Sequence, residues 1–373
     1  MLINRDVLLN ALDLAKPSLS SNEFIPILGY FCFTKNYVVA FNDMTTIRAV
    51  LRGTNFQCAV KGDELHSFLS LSDGKRVDIT AKNDDGLVFK IGSSKFKAVT
   101  LPKDDFIFPR PNTKNPDAEI DITKTFIKGL ELCLISSSQD KSREERYGVT
   151  VKITENQMEM YSTDGNTISR FIITKDVPDT ELELVLPYHF CQILVQTFSK
   201  LTGADDEEEE EKEILEATLK LKITKKKGGY IVAKFPGKCF IYSEIDPTVE
   251  PPEYEDILDR HLKLLNKKNT YKIPPKLIVA LKKVDAILEK DAGRICTFKI
   301  KKGRLTILAT SSSGSRIIEP MKLAKTAPDI RLATDPGLLM RVVANCNEIG
   351  LVANCVVLRS DPNYCYLVAT KID

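Results

Sequence analysis

The sequence predicts an α+β protein built from three similar domains, each with two helices packed on antiparallel sheet. Three observations lead there. One order of elements (amphipathic helix, strand pair, turn, strand, second helix) occurs three times along 373 residues. Each time, the apolar residues switch from helical spacing to strand alternation and back. Equivalent positions also recur at similar separations. Leu8 to Ile127 is 119 residues and Val60 to Leu186 is 126; Ile127 to Ile278 is 151 and Leu186 to Ala333 is 147. A period this long is no solenoid; it suits separate domains of roughly 100–200 residues.

The first helices are expected over 5–15, 125–136 and 275–288. Their apolar stripes are Leu8, Ala11, Leu12 and Ala15; Phe126, Ile127, Leu130, Cys133 and Leu134; and Leu277, Ile278, Leu281, Val284 and Leu288. Strand–turn–strand units follow over 31–50, 149–172 and 297–318. Their turns fall at Lys35-Asn36 and Asn42-Asp43, Glu155-Asn156 and Asp164-Gly165, and Lys302-Gly303 and Ser313-Gly314. The second helices, 62–70, 187–198 and 335–343, each follow a short strand. Asp335 and Pro336 supply an N-cap and a first-turn proline. The Pro-rich stretch 109–116 reads as one linker, and the second junction lies within 247–269. The domains are therefore expected at 1–116, 117–256 (with an acidic insertion near 203–213) and 257–373.

Composition narrows the function. Hydrophobic residues make up 43% and charged residues 28%, as in an ordinary soluble protein. The longest uncharged stretch, 184–199, is too short to span a bilayer and contains Pro187 and His189. Arg5, Asp6 and Asp13 interrupt any signal-like apolar region. Nine cysteines, scattered and with no CxxC pair, fit reduced, buried thiols and a cytoplasmic protein. Three histidines leave little acid–base capacity near neutrality. No Walker, GxGxxG, HExxH or GxSxG pattern is present. The Ser311-Ser312-Ser313-Gly314 turn and the adjacent carboxylates Asp104-Asp105 and Asp205-Asp206 lack the convergent partners that catalysis needs. No enzyme, metal or cofactor is expected.

The net charge of +2 conceals an uneven distribution. The three domains carry +3, −12 and +11, and the run 205–211 supplies seven of the acids. Opposite the apolar helix stripes lie Arg5 and Asn10, Lys124 and Lys128, His189, Gln192 and Gln196, and Lys276, Lys282, Lys283 and Arg341. The acids Asp13, Glu64 and Glu131 share these faces. Repeated basic and amide residues on equivalent helices suit loose, sequence-independent phosphate contact.

Four short segments, in order along the chain, resemble those of the bacterial sliding clamp, the beta subunit of DNA polymerase III. Pro26-Ile27-Leu28-Gly29 resembles the family's "PILG". Ser162-Thr163-Asp164-Gly165-Asn166 resembles its "ATDGH". Phe240-Ile241-Tyr242 with Pro252-Glu253-Tyr254 resembles "FI…FPDY", and Tyr366-Leu367-Val368-Ala369 resembles the closing strand. The resemblance implies the DNA clamp fold and a head-to-tail homodimer ring with the helices inside. Such a ring encloses DNA and tethers the replicative polymerase after a clamp loader has placed it; no membrane is involved.

The resemblance also implies a dimer interface drawing on Phe106, Ile107, Phe108, Ile287 and Leu288. It implies a partner-peptide pocket walled by Thr163, Gly165, Asn166, Thr167, Ile168, Pro252, Asp256, Ile257, Leu367, Val368, Ala369 and Thr370. The family's His-Arg after the glycine is Asn166-Thr167 here, a basic position is Asp256, and the tail Thr370-Lys371-Ile372-Asp373 is more polar. These departures point to a divergent clamp, such as a virus or plasmid with its own polymerase would encode, with an altered motif preference. A repeat-domain protein that never encircles DNA, acting as a decoy or inhibitor of clamp partners, is the alternative.

Overall fold

The computed structural model describes residues 1–20, 25–81, 86–106, 108, 111, 115–203, 216–224, 228–288, 294–323, 329–352, 354–360 and 363–370. Ile107, most of the 109–116 linker, the acidic run 205–211, Lys225-Lys226-Lys227 and Lys371-Ile372-Asp373 lie outside the described residues.

One succession runs through them three times: a short strand, a helix, four strands, a helix and three strands. Its helices are α1 (Arg5–Ala15) and α2 (Gly62–Leu71), then α3 (Lys124–Leu134) and α4 (Tyr188–Thr202). After an additional helix, α5 (Glu255–Leu264), come α6 (Leu277–Ile287) and α7 (Pro336–Met340). The chain forms two compact units, 1–127 with 189–248 and 128–188 with 249–373.

The helices form where side chains make their ends and stripes. The Asn4 carboxamide oxygen accepts from the Asp6 and Val7 amides at 2.8 and 3.4 Å, capping α1. Leu8, Ala11, Leu12 and Ala15 are buried and pack toward the strands Tyr37–Phe41 and Thr45–Val50. Each fully buried leucine contributes roughly 1.5–3 kcal/mol. In α3, Gly129 is a packing requirement. A Cβ there would sit 2.2 Å from the Met160 methyl and 2.8 Å from the Phe171 ring. The third second-helix is shorter than expected. Asp335 accepts from the Gly337 amide at 2.7 Å, but α7 stops at Met340 and a 3₁₀ turn, Val343–Asn345, follows. The β-branched pair Val342-Val343 disfavours continuation. The Lys302-Gly303 turn, with φ of 49° and 71°, closes the hairpin between Cys296–Lys301 and Arg304–Thr310 as a two-residue left-handed turn requires.

The first unit holds a twelve-stranded sheet. Within it Thr45–Val50 pairs antiparallel with Cys239–Ile245, Ile47 opposite Ile241. The second unit holds an eight-stranded and a four-stranded sheet. In the larger one Thr167–Ile173 pairs with Tyr364–Ala369, Ile168 opposite Leu367. Each join links the fourth strand of one succession to the last strand of the next. The remaining counterparts are open. Arg316–Lys322 is the edge of the four-stranded sheet. Residues 94–99 of the strand Ser94–Pro102 pair only with Gly86–Ile91 among the described residues.

None of the nine cysteines is in a disulfide, and seven are buried. Among the described residues no helix is long and apolar enough to cross a membrane, and no group of His, Cys, Asp and Glu could hold a metal ion.

Candidate functional site

A cavity of about 780 Å³ opens in the second unit. Its floor is a tight turn. The Asp164 carboxylate accepts from the Asn166 and Thr167 amides at 2.8 and 2.7 Å and from the Thr167 hydroxyl at 3.0 Å. The Thr163 hydroxyl donates to the Thr167 carbonyl at 2.7 Å. Gly165 has φ of 91°, a conformation side chains disfavour, and a Cβ there would lie 3.0 Å from the Arg146 guanidinium.

The opposite wall is the chain entering α5. Pro251 and Pro252 stiffen it, Ile257 stands 46% exposed, and Tyr254 is buried. Tyr254 stacks on Tyr161 with ring centroids 3.9 Å apart. Its hydroxyl donates to the buried Glu159 carboxylate at 2.5 Å, which Arg170 approaches at 3.7 Å. Burial first, then the Glu159 hydrogen bond, pushes the Tyr254 phenol far up. Beneath lies an apolar cluster that includes Ile168, Leu258, Val357 and Leu367.

Of the expected pocket residues, Thr163, Gly165, Asn166, Ile168, Pro252 and Ile257 line the cavity. Thr167 is buried in the turn itself. Asp256 is exposed on α5 beside Ile257. Leu367 and Val368 are buried in the strand behind the cavity. Ala369 and Thr370 extend that strand through amides donating to the carbonyls of Asn166 at 2.9 Å and Asn354 at 2.7 Å. The lining also includes Glu144, Glu145, Arg146, Val249, Glu250, Pro251, Glu253 and Tyr254, which the sequence reading did not assign to it. The signal for the latter part was present. Acids at Glu255 and Asp256, His261 and Lys263 in the last turn, and Ile257, Leu258 and Leu262 at helical spacing together mark a helix within 247–269.

The basic and amide residues divide by their local partners. Arg5 donates to the Ser72 carbonyl and pairs with Asp6. Lys128 reaches Glu131 and Asn345, both at 3.1 Å, and Lys283 reaches Glu319 at 2.9 Å. Lys124, Lys276, Lys282 and Arg341 are exposed and make no ion pair among the described residues. Asn10 and Gln196 are exposed; Gln192 is half-buried.

The aromatic candidates for an interface lie inward. Phe106 and Phe108 meet edge to face, 5.5 Å apart, in a buried cluster with Cys32, Val39 and Ala59. They pack beside the sheet join, where Val232 and Tyr242 of the next succession complete the cluster. Ile287 and Leu288, ending α6, are half-buried. Exposed apolar residues sit instead on the two open strand edges: Val99 is 77% exposed and Ile318 52%.

No protein-family model matches the chain, and no curated protein matches it by sequence. Solved structures do. It is similar to the sliding clamp, DNA polymerase III subunit beta, of Pseudomonas aeruginosa bound to griselimycin, at 16% identity and TM-score 0.79. It is likewise similar to the DNA polymerase III beta subunit of Thermotoga maritima, at 16% and 0.80, and to the beta chain from Streptococcus pneumoniae, at 14% and 0.81. Each alignment covers 100% of this chain and 99% of the other. The chain has the α+β sliding-clamp fold.

Proposed function

We propose that this chain is a DNA sliding clamp: a non-enzymatic scaffold that encircles duplex DNA as a head-to-tail homodimer. It would tether the replicative polymerase, and other partners, through the cavity beside Ile257. The observation that carries this reading is the likeness to clamp structures over the whole chain. The sheet joins support it independently. Thr45–Val50 and Thr167–Ile173 each pair with the last strand of the next succession. Arg316–Lys322 and residues 94–99 are the two counterparts left open. A second copy completes both at once, a heterologous contact that closes into a ring. The three successions then act as three domains, 1–116, 117–256 and 257–373.

A ring holds DNA by topology, so it needs only a modest positive field from Lys124, Lys276, Lys282 and Arg341 and no base contacts. Tethering raises the effective concentration of polymerase at the template. A clamp loader would open the ring. The test is retention on DNA. Loaded onto a nicked circular plasmid, the protein should stay through gel filtration and be lost when the plasmid is cut once. Equal retention on circular and linear DNA would reject encirclement and leave the decoy reading.

A further inference from the structure

We propose that the cavity beside Ile257 takes a cationic partner segment, one large apolar side chain flanked by lysine or arginine. The inference rests on the clamp reading of this site and adds the chemistry of its partner. The cavity has two parts. Its slot is apolar, formed by Ile168, Pro252, Tyr254 and Ile257. Its rim is acidic. Glu144, Glu145, Glu250 and Glu253 line it against a single base, Arg146, whose Nε lies 3.5 Å from Glu145. Glu144, Glu250 and Glu253 make no ion pair among the described residues. Three negative charges are therefore left over, and Asp256 is exposed one residue from Ile257.

These carboxylates stand around a low-dielectric slot. There they would repel an acidic segment and steer a basic one. The slot supplies the affinity of an apolar anchor, and the rim decides which anchors enter. A partner of this kind would carry its positive charge in an extended segment, because the cavity is open between the turn at Gly165 and the strap at Pro251-Pro252.

The test uses the full chain and three synthetic peptides, all acetylated and amidated, sharing one central leucine and flanked by two lysines, two serines or two glutamates on each side. Isothermal titration in 50 mM salt should rank them lysine, serine, glutamate. The lysine peptide should bind about tenfold tighter than the serine peptide, as a few exposed ion pairs supply, and the gap should narrow in 300 mM salt. The triple variant E144Q/E250Q/E253Q should bring the three peptides to similar affinity, whereas replacing the run 205–211 with Gly-Ser should not. Equal or stronger binding of the glutamate peptide, or a preference that follows the 205–211 run, overturns the cationic partner and leaves the peptide pocket standing. If none of the peptides binds, or if I257S leaves their binding unchanged, the pocket reading falls with it.

Discussion

Tyr254 lies against Tyr161 with ring planes 28° apart, yet the two hydroxyls serve different carboxylates, Glu159 for Tyr254 and Glu183 for Tyr161. Glu159 is 7% exposed; Glu183 is at the surface, beside Lys152. The stacked pair fixes the start of α5, and so the wall of the cavity.

Y254F should therefore cost more than Y161F. Removing the Tyr254 hydroxyl leaves a buried carboxylate short of a donor, at a cost of roughly 1–3 kcal/mol. Water replaces the Tyr161 hydroxyl at Glu183. Urea midpoints of the two variants measure the difference; equal losses would contradict it.

K124E/K276E/K282E should shorten retention on circular DNA several-fold and flatten its salt dependence, with the melting temperature within a degree or two of the parent. K128E/K283E should do less to retention, because those two side chains are already held by Glu131 and Glu319. Retention as a function of potassium chloride checks both.

V99E/I318E should yield a monomer. Light scattering of the parent should give twice the 41.8 kDa chain mass, and the variant one chain mass with unchanged circular dichroism. A variant that still gives two chain masses would place the contact elsewhere.

G129A should destabilise by roughly 1–3 kcal/mol, the usual range for overpacking a core, since the added methyl meets Met160 and Phe171. Thermal unfolding reads it directly, and M160A in the same chain should recover part of the loss.

Alkali should weaken the fold before acid–base chemistry elsewhere does. Burial pushes the Cys239, Cys296 and Cys346 thiols each up to about 12, against about 8.5 in an unfolded chain. The native state keeps protons that the unfolded state has lost. The stability these groups contribute is full below the unfolded value and falls as pH rises through the native one. Melting temperatures at pH 7.5, 9 and 10.5 should decline; a rise over that span would refute the assignment.

Much of this fold is legible in the amino-acid sequence. The stripe Leu8, Leu12, Ala15 and the turn Lys302-Gly303 are local signals, fixed by helical period and left-handed backbone, and both stand where the pattern put them. α5 carries end signals and helical spacing, yet its low mean hydropathy and the Pro-Pro pair before it make the stretch read as a junction. Phe106 and Phe108 show a different ambiguity. An apolar cluster between prolines and charges suits an interface or a core equally, and in the single chain the pair packs on Cys32 and Val39. The acidic rim was illegible for a different reason. Glu144 and Glu250 are more than a hundred residues apart, and no local pattern announces that they meet.

The strand Tyr364–Ala369 is the last in the sequence, yet it is fifth of eight in its sheet, with Thr167–Ile173 on one side and Cys355–Ser360 on the other. During synthesis, Thr167–Ile173 must wait with an open edge for nearly two hundred further residues to emerge. Such edges recruit other chains. The closing step of this unit thus waits on a strand made long after its partner, and a chain cut short before Tyr364 would be an aggregation hazard rather than a smaller working protein.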